Sequence, residues 1–270
     1  MEVKVLKVAG WEPSIRGLRN PMNSWDKSDS ETEFVEHITP DGFTVLSDPY
    51  FSVGPEDLKL MQNLFAAGPE HRKYDRMLIV WMDITASHIF WQEFDTYKVG
   101  TVRNSCSKMH KIHVMPFEYD DFAHEGLDEL AEDGHVEYRN HFIYGTHEHL
   151  ESLRKKFNET HDKKYWKALL ESLPMGFKLK ATVMMSYEVA VNMINQRENH
   201  KWYEWHEFIP VLKGLPYMEE IRAKAVEKKE ADQDMKYALK LHGIESPAQL
   251  HNIMDRLALL EEKLNERRTD

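Results

Sequence analysis

The stretch SYEVAVNMINQRENHKWYEWHEF (Ser186–Phe208) has helical spacing, yet it carries Asn192, Asn195, Gln196 and Asn199 close together, with Arg197 among them and His200 just beyond. Asn is a mediocre helix former, because its short polar side chain competes for the backbone. At about 100° per residue, Val183, Tyr187, Ala190, Val191 and Ile194 share one side, and Glu188, Asn192, Asn195, Gln196 and Asn199 gather on the other. Arg197 and His200 lie on the flank between, beside Met193. Amides donate and accept at imide edges, and a guanidinium offers a planar fork to a phosphate or a uracil-type oxygen. This face therefore suits a ligand with both a hydrogen-bonding heterocycle and an anion. The competing reading is a solvent face on which Arg197 pairs with Glu204 or Glu207. Trp202, Tyr203 and Trp205 do not separate the two readings, since aromatics are more often core than cofactor stack.

Several elements must position that helix. EVKVLKVAGW at residues 2–11 alternates as a strand with Val3, Val5 and Val8 as its apolar members. SIRGLRNPMNSWDKSDS (Ser14–Ser30) reads as a loop, or as a short helix with an irregular exit. GPEDLKLMQNLFAAGPEHRK predicts a helix with a Pro-Glu-Asp start, apolar Leu58, Met61, Leu64 and Phe65, and a Gly68-Pro69 stop. DRMLIVWMDITAS is a buried strand. HIFWQEFDTYKVGTVRNSCSKMHKIH reads as helix, then loop, with a further short helix. EHLESLRKKF and KKYWKALLESL have helical spacing, and LPMGFKLKATVMM leads into the amide-bearing helix.

Net charge is −11 with His neutral, which argues against a nucleic-acid partner but leaves room for a small phosphorylated ligand in a local basic pocket. Much of the acidity lies in EYDDFAHEGLDELAEDGHVEY (Glu118–Tyr138), expected as a solvated surface excursion. No apolar run approaches a bilayer span, so no membrane partner is expected, and the first residues lack a signal peptide's apolar region. The single cysteine, Cys106, excludes an internal disulfide framework and fits a reducing cytoplasm; it is expected as a small packing residue. His147 and His149, with His135 and His141, lack the spacing of a metal site, so no metal is expected. Residues 222–270 form a charged helical extension to a body at 1–221. Within it Ser246 and Pro247 open a helix whose Leu250, Ile253, Leu257, Leu260 and Leu264 repeat at a/d spacing.

LPMGFKLKATVMMSYEVAVNMINQRENHKWYEWHEF resembles the C-terminal active-site segment of the flavin-dependent thymidylate synthases. There a Leu-Pro precedes a helix bearing an Asn that touches flavin, an Arg that binds the uracil ring of dUMP follows five residues later, and a His comes soon after. Leu173-Pro174, Asn192, Arg197 and His200 fall into those places. The wording is similar to the diverged form carried by phages and gut bacteria, which implies a bacterial host cytoplasm. YKVGTVRNSCSKMH resembles the second half of the family signature: Asn104 and Ser107 keep their places, with Ser105 for Glu, Met109 for Arg and His110 for Tyr. The double-Arg opening is missing, leaving Lys98 and Arg103 as the nearby cations.

The resemblance implies a mixed α+β fold of the flavin-dependent thymidylate synthase type, a central sheet flanked by helices, assembled as a homotetramer with shared active sites. It implies transfer of a one-carbon unit from methylenetetrahydrofolate to C5 of dUMP, with FAD as hydride carrier and NADPH as reductant. Arg197 would polarise the uracil. Arg16, Arg19, Ser24, Arg103, Ser105 and Ser107 would join it around the nucleotide. His71, Lys98, Asn104, His110, Asn192, Gln196 and His200 would hold the cofactor. The altered signature leaves two alternatives open: a dUMP hydroxymethylase, and a non-catalytic nucleotide-binding or assembly protein on the same fold.

Overall fold

The computed structural model describes residues 1–34, 36–38, 40–41, 44–46, 50–241 and 249. The chain begins with β1 (Glu2–Ala9), α1 (Trp11–Arg19), β2 (Glu31–Glu33), β3 (Glu36–Ile38), β4 (Thr44–Leu46), β5 (Tyr50–Ser52) and α2 (Pro55–Ala67). It continues through β6 (Ile79–Ser87), α3 (His88–Phe94), β7 (Thr101–Ser105), α4 (Lys108–Lys111), α5 (Glu125–Glu132), α6 (Val136–His141), α7 (Glu148–Thr160) and α8 (Lys163–Glu171). β8 (Lys178–Ser186), α9 (Tyr187–Arg197), α10 (Glu204–Lys213) and α11 (Met218–Leu241) complete it. The fold is mixed α+β, as the resemblance implies.

The organising element is an antiparallel sheet in the order β1-β6-β8-β7. Period-two alternation puts Val80, Met82, Ile84 and Ala86 of β6, with Ala181, Val183 and Met185 of β8, into one apolar core with residues of α3, α9 and α10. Trp81, Asp83 and Thr85 face the other side. In β1, Val3 pairs with Ile84 and Val5 with Met82, then the register shifts before Lys7 so that Val8 pairs with Val80. That bulge sets all three valines opposite buried residues of β6 despite their uneven spacing; Val3 and Val8 pack on the core, while Val5, beside the bulge, stays exposed.

β7 is a strand where a loop is expected. Its pairing with β8 runs from Thr101 opposite Met185 to Ser105 opposite Ala181. Gly100 turns the chain into it at φ 88°, and a Cβ there would lie 2.9 Å from Val189 Cγ2, so both conformation and space call for glycine. Between β7 and β8 the chain inserts α4 to α8 around a second core of Ile112, Phe117, Phe122, Leu150, Leu169 and Phe177. The acidic excursion is largely exposed, but Phe122 within it is fully buried and pins it down.

The helix expected across residues 186–208 is two helices. α9 begins at Ser186, whose hydroxyl accepts from Val189 N, and ends at Arg197, leaving Asn199 and His200 in the following turn. The break lets Glu204 reach inward, where it is buried and accepts from Ser87 N at 2.9 Å, from the Ser87 hydroxyl, and from Trp202 Nε1 at 2.8 Å. This carboxylate ties the start of α3 to the start of α10. α11 packs along α2, with Gln62 Nε2 donating to Glu220 O at 3.0 Å. It runs unbroken through the expected boundary after residue 221, with Ile221 and Arg222 buried. Ser246, Pro247 and the leucine series lie outside the described residues. No helix among the described residues is long and apolar enough to cross a membrane.

Candidate functional site

Arg197 closes α9, and its side chain is half-buried. Nη1 pairs with Glu93 of α3 at 2.6 Å, Nε donates to the Tyr97 hydroxyl at 3.0 Å, and Nη2 reaches Thr96 Oγ1 at 3.5 Å. The guanidinium carbon lies 5.6 Å from the centre of the Tyr97 ring and 5.1 Å from that of Trp205. Trp205 is fully buried against Phe90, so the cation rests on a rigid aromatic support. The Tyr97 hydroxyl donates onward to Gln196 Oε1 at 3.0 Å. His200 Nδ1 accepts from Trp202 N at 3.2 Å, which leaves the proton of a neutral ring on Nε2, 3.7 Å from the same Glu93 oxygen.

Gln196, Arg197 and His200 thus come together at one end of α9, with Lys98 exposed just beyond Tyr97. Arg197's carboxylate partner is neither of those in the solvent-face reading. Glu204 is engaged at Ser87, Glu207 takes the N-terminal ammonium, and Glu93 arrives from another helix. The helix face is as expected: Tyr187, Ala190, Val191 and Ile194 are buried, Asn195, Gln196 and Asn199 are exposed, and Asn192 is half-buried. Asn192 makes no side-chain hydrogen bond among the described residues. Its amide, the Gln196 NH2 and His200 carry hydrogen-bond donors and acceptors that are open to a ligand. Glu93, Tyr97 and Trp205 are the site residues that sequence reasoning misses. The four-residue spacing of Glu93 and Tyr97 is a signal that could have found the first two.

The signature-like segment is divided by its strand conformation. Arg103 sits opposite Val183 and Ser105 opposite Ala181, on the helix-covered face, whereas Asn104 sits opposite Thr182 on the other. Asn104 therefore cannot join Arg103 and Ser105 within one chain. Arg103 is also engaged: it pairs with Asp95 at 3.1 Å and lies 4.8 Å from the centre of the Trp91 ring. Ser107 Oγ accepts from His110 N at 3.3 Å, capping α4, and His110 is exposed. Cys106 is exposed, not packed.

A third locus lies at α1, where a cavity of about 310 Å³ is lined by Arg16, Arg19, Trp25, Ser28 and Ser30 among others. Exposed Arg16 sits 5.4 Å from the centre of the Trp25 ring and keeps its charge available to an anion. Arg19 does not. It is buried and bonded to Asp57 at 2.5 Å, because a desolvated cation needs a carboxylate more than it needs a ligand. Ser24 contributes its carbonyl, which accepts from Arg19 Nη1 at 3.2 Å. Arg197 lines neither this cavity nor the cleft beside Ser107. His71 is exposed beside Glu70, in the turn before a 3-10 segment that packs on α9 near its first residues, away from Arg197.

The 3-10 segment holds a further titratable group. Asp75 is fully buried and neither carboxylate oxygen has a partner, since the Tyr74 hydroxyl is committed to Met61 O at 2.8 Å. Burial pushes its pKa up to about 7, with Arg72 opposing and Glu188 reinforcing the rise. In the unfolded chain the carboxyl ionises near 3.8. Between those values the folded state holds a proton that the unfolded state has lost, so stability falls as pH rises from about 4 to 7 and stays low above it. Asp75→Asn is therefore expected to stabilise the protein at pH 8 by about 2–4 kcal/mol and to change little at pH 4. Urea unfolding at the two pH values checks it, and equal effects at both would refute the assignment.

No family model matches the chain, and no curated protein matches it. Solved structures do. Two structures of flavin-dependent thymidylate synthase ThyX from Helicobacter pylori, both with FAD and dUMP, align with a TM-score of 0.54, covering 82% of this chain and 96% of theirs. Identity is 15% in one and 17% in the other. The chain has their fold.

Proposed function

We propose that this chain is a flavin-dependent enzyme that transfers a one-carbon unit from methylenetetrahydrofolate to C5 of dUMP, giving dTMP. The observation that carries the reading is Arg197: a half-buried guanidinium braced on Tyr97 and Trp205 and oriented by Glu93. It stands at the register position that the resemblance gives to the uracil-binding arginine. Not every N–H of its fork is taken, so it can still donate to a uracil oxygen and stabilise negative charge developing on the ring. Asn192, Gln196 and His200 would hold the flavin edge, and FAD when bound would supply the hydride chemistry, with NADPH as the reductant. Arg16 would meet the nucleotide phosphate.

Arg16 and Arg197 belong to separate loci in one chain. That separation supports a homotetramer in which one subunit's α1 cavity completes another's α9 site. Sedimentation giving a monomer with full activity would contradict it.

A second reading, a dUMP hydroxymethylase, is favoured by the commitment of Arg103 to Asp95 and Trp91, which alters the signature's share of the site. The deciding experiment supplies dUMP, methylenetetrahydrofolate, FAD and NADPH and reads the product mass. A methyl gain supports the synthase and a hydroxymethyl gain the hydroxymethylase. An unchanged nucleotide with flavin-loaded protein supports the non-catalytic nucleotide-binding alternative instead.

A further inference from the structure

The helices α1, α2 and α9 are tied together through one short stretch, Tyr74–Leu78, just before β6. On the α1 side, the hydroxyl of buried Ser14 donates to Tyr74 O at 3.0 Å. Gly10 runs so close to the stretch that a Cβ there would lie 2.0 Å from Met77 O. On the α2 side, the Tyr74 hydroxyl donates to Met61 O at 2.8 Å. On the α9 side, Tyr187 N donates to Leu78 O at 2.9 Å, and Arg76 holds Glu188 by two bonds of 2.7 and 3.0 Å. Tyr187 also meets the Trp11 ring of α1 edge-on at 5.7 Å. α1 carries Arg16 and Arg19 and α9 carries Arg197, so the helices of both candidate loci rest on this joint.

Within the joint lies a carboxyl that nothing holds. Asp75 is 1% exposed, and neither of its oxygens has a hydrogen-bond partner among the described residues. The neighbouring arginines do not supply one. Arg76 is committed to Glu188. Arg72 sets its guanidinium 4.6 Å from the centre of the Phe65 ring, and its buried Nε is unpartnered as well. The titratable groups facing Asp75 are Arg72 and Tyr74 from its own part of the chain, and Glu188 and Tyr187 from α9. α1 and α2 meet the stretch with the Ser14 hydroxyl and the Met61 carbonyl, which do not titrate. A neutral carboxyl tolerates such a place at the cost of its unmade hydrogen bonds, whereas a buried, unpaired carboxylate is far more costly.

We propose that Asp75 is a proton-operated latch on this joint: neutral, it stays in the core and the joint is closed; ionised, it leaves for water or for Arg72 and the joint opens locally. The second core of Ile112, Phe122, Leu150 and Leu169 shares no residue with the joint, so it stays folded during the opening. The proposal is independent of the flavin reading, because it uses neither Arg197 nor its partners.

Amide hydrogen exchange of the whole chain at pH 5 to 8, corrected at each pH for the exchange rate of unstructured peptide, tests the latch. Burial holds the carboxyl's pKa at about 7 against the opposing charge of Arg72, and in the open, solvated state it returns to 3.8. Between those values each pH unit favours the open state up to about tenfold, and above 7 the gain ends. Opening at residues 74–78 should therefore rise on the order of a hundredfold from pH 5 to pH 8. At pH 8 these amides should open at least about ten times more often than the slowest amides of the second core, which report unfolding of the whole chain. Asp75→Asn cannot ionise and should open equally at both pH values. Arg72→Met keeps the carboxyl but removes the charge that opposes its protonation, so its rise should continue past pH 7. Opening that is flat with pH in the wild type, or as steep in Asp75→Asn, would overturn the latch. So would a rise that ends at the same pH in Arg72→Met. Joint amides as protected at pH 8 as the slowest of the second core would also overturn it, since Asp75 would then act only on unfolding of the whole chain.

Discussion

Asp57→Ala is expected to cost about 3–5 kcal/mol of stability. Asp57 has no solvent exposure, and its carboxylate accepts from Arg19 Nε at 2.5 Å, Ser28 Oγ at 2.7 Å, Ser30 Oγ at 2.7 Å and Asp29 N at 3.2 Å. One side chain thus joins α1, the segment at 28–30 and the first turn of α2. Burial pushes the carboxyl's pKa up, but the bonds from Ser28, Ser30 and Arg19 outweigh it and hold the group below its ordinary value. Its contribution is therefore present at neutral pH and lost only as pH falls through that depressed pKa. The alanine would strand Arg19 as a buried, unpaired charge. Removing both charges, as in Arg19→Met with Asp57→Leu, should recover much of the loss, because two apolar side chains carry no such penalty. Urea unfolding at pH 7 measures both variants. A loss below about 1 kcal/mol in Asp57→Ala would mean that the pair is solvated and structurally minor.

Arg197→Lys is expected to weaken dUMP binding about ten- to a hundred-fold. Hydrogen bonds to a charged group contribute about 1.5–3 kcal/mol net, and a lysine cannot reproduce the planar fork. It would also lose the stacked position between Tyr97 and Trp205. Flavin content should change little, because Asn192 and His200 are untouched. If Arg197 serves only its ion pair with Glu93, the substitution should leave dUMP affinity unchanged. Titration calorimetry on flavin-loaded wild type and variant separates the two, and equal affinities would remove Arg197 from the nucleotide site.

What was legible in the sequence was whatever repeats along the chain. The apolar side of α9 and the marked ends of α2 follow from local spacing, and the run at Ile79–Ser87 from composition. What was not legible depends on partners far away in sequence. β7 has little alternation of its own, and its strand conformation is imposed by β8 some eighty positions later. The same distance hides the alternation that sends Arg103 and Asn104 to opposite faces. The helix break before Glu204 reflects the demand of Ser87, 117 residues earlier. Arg19 looks like a free cation until Asp57, 38 residues on, is seen to claim it. Arg197 differs in that its type and position were readable. Its surroundings were not: the carboxylate of Glu93 from α3 and the rings of Tyr97 and Trp205.

The most direct test is flavin retention by the purified chain. After incubation with excess FAD and gel filtration, the protein is expected to be yellow, with about one flavin per chain as an order of magnitude. Addition of dUMP should then perturb the flavin spectrum saturably. A folded, colourless protein that retains no FAD and gives no dUMP response would contradict the proposed function.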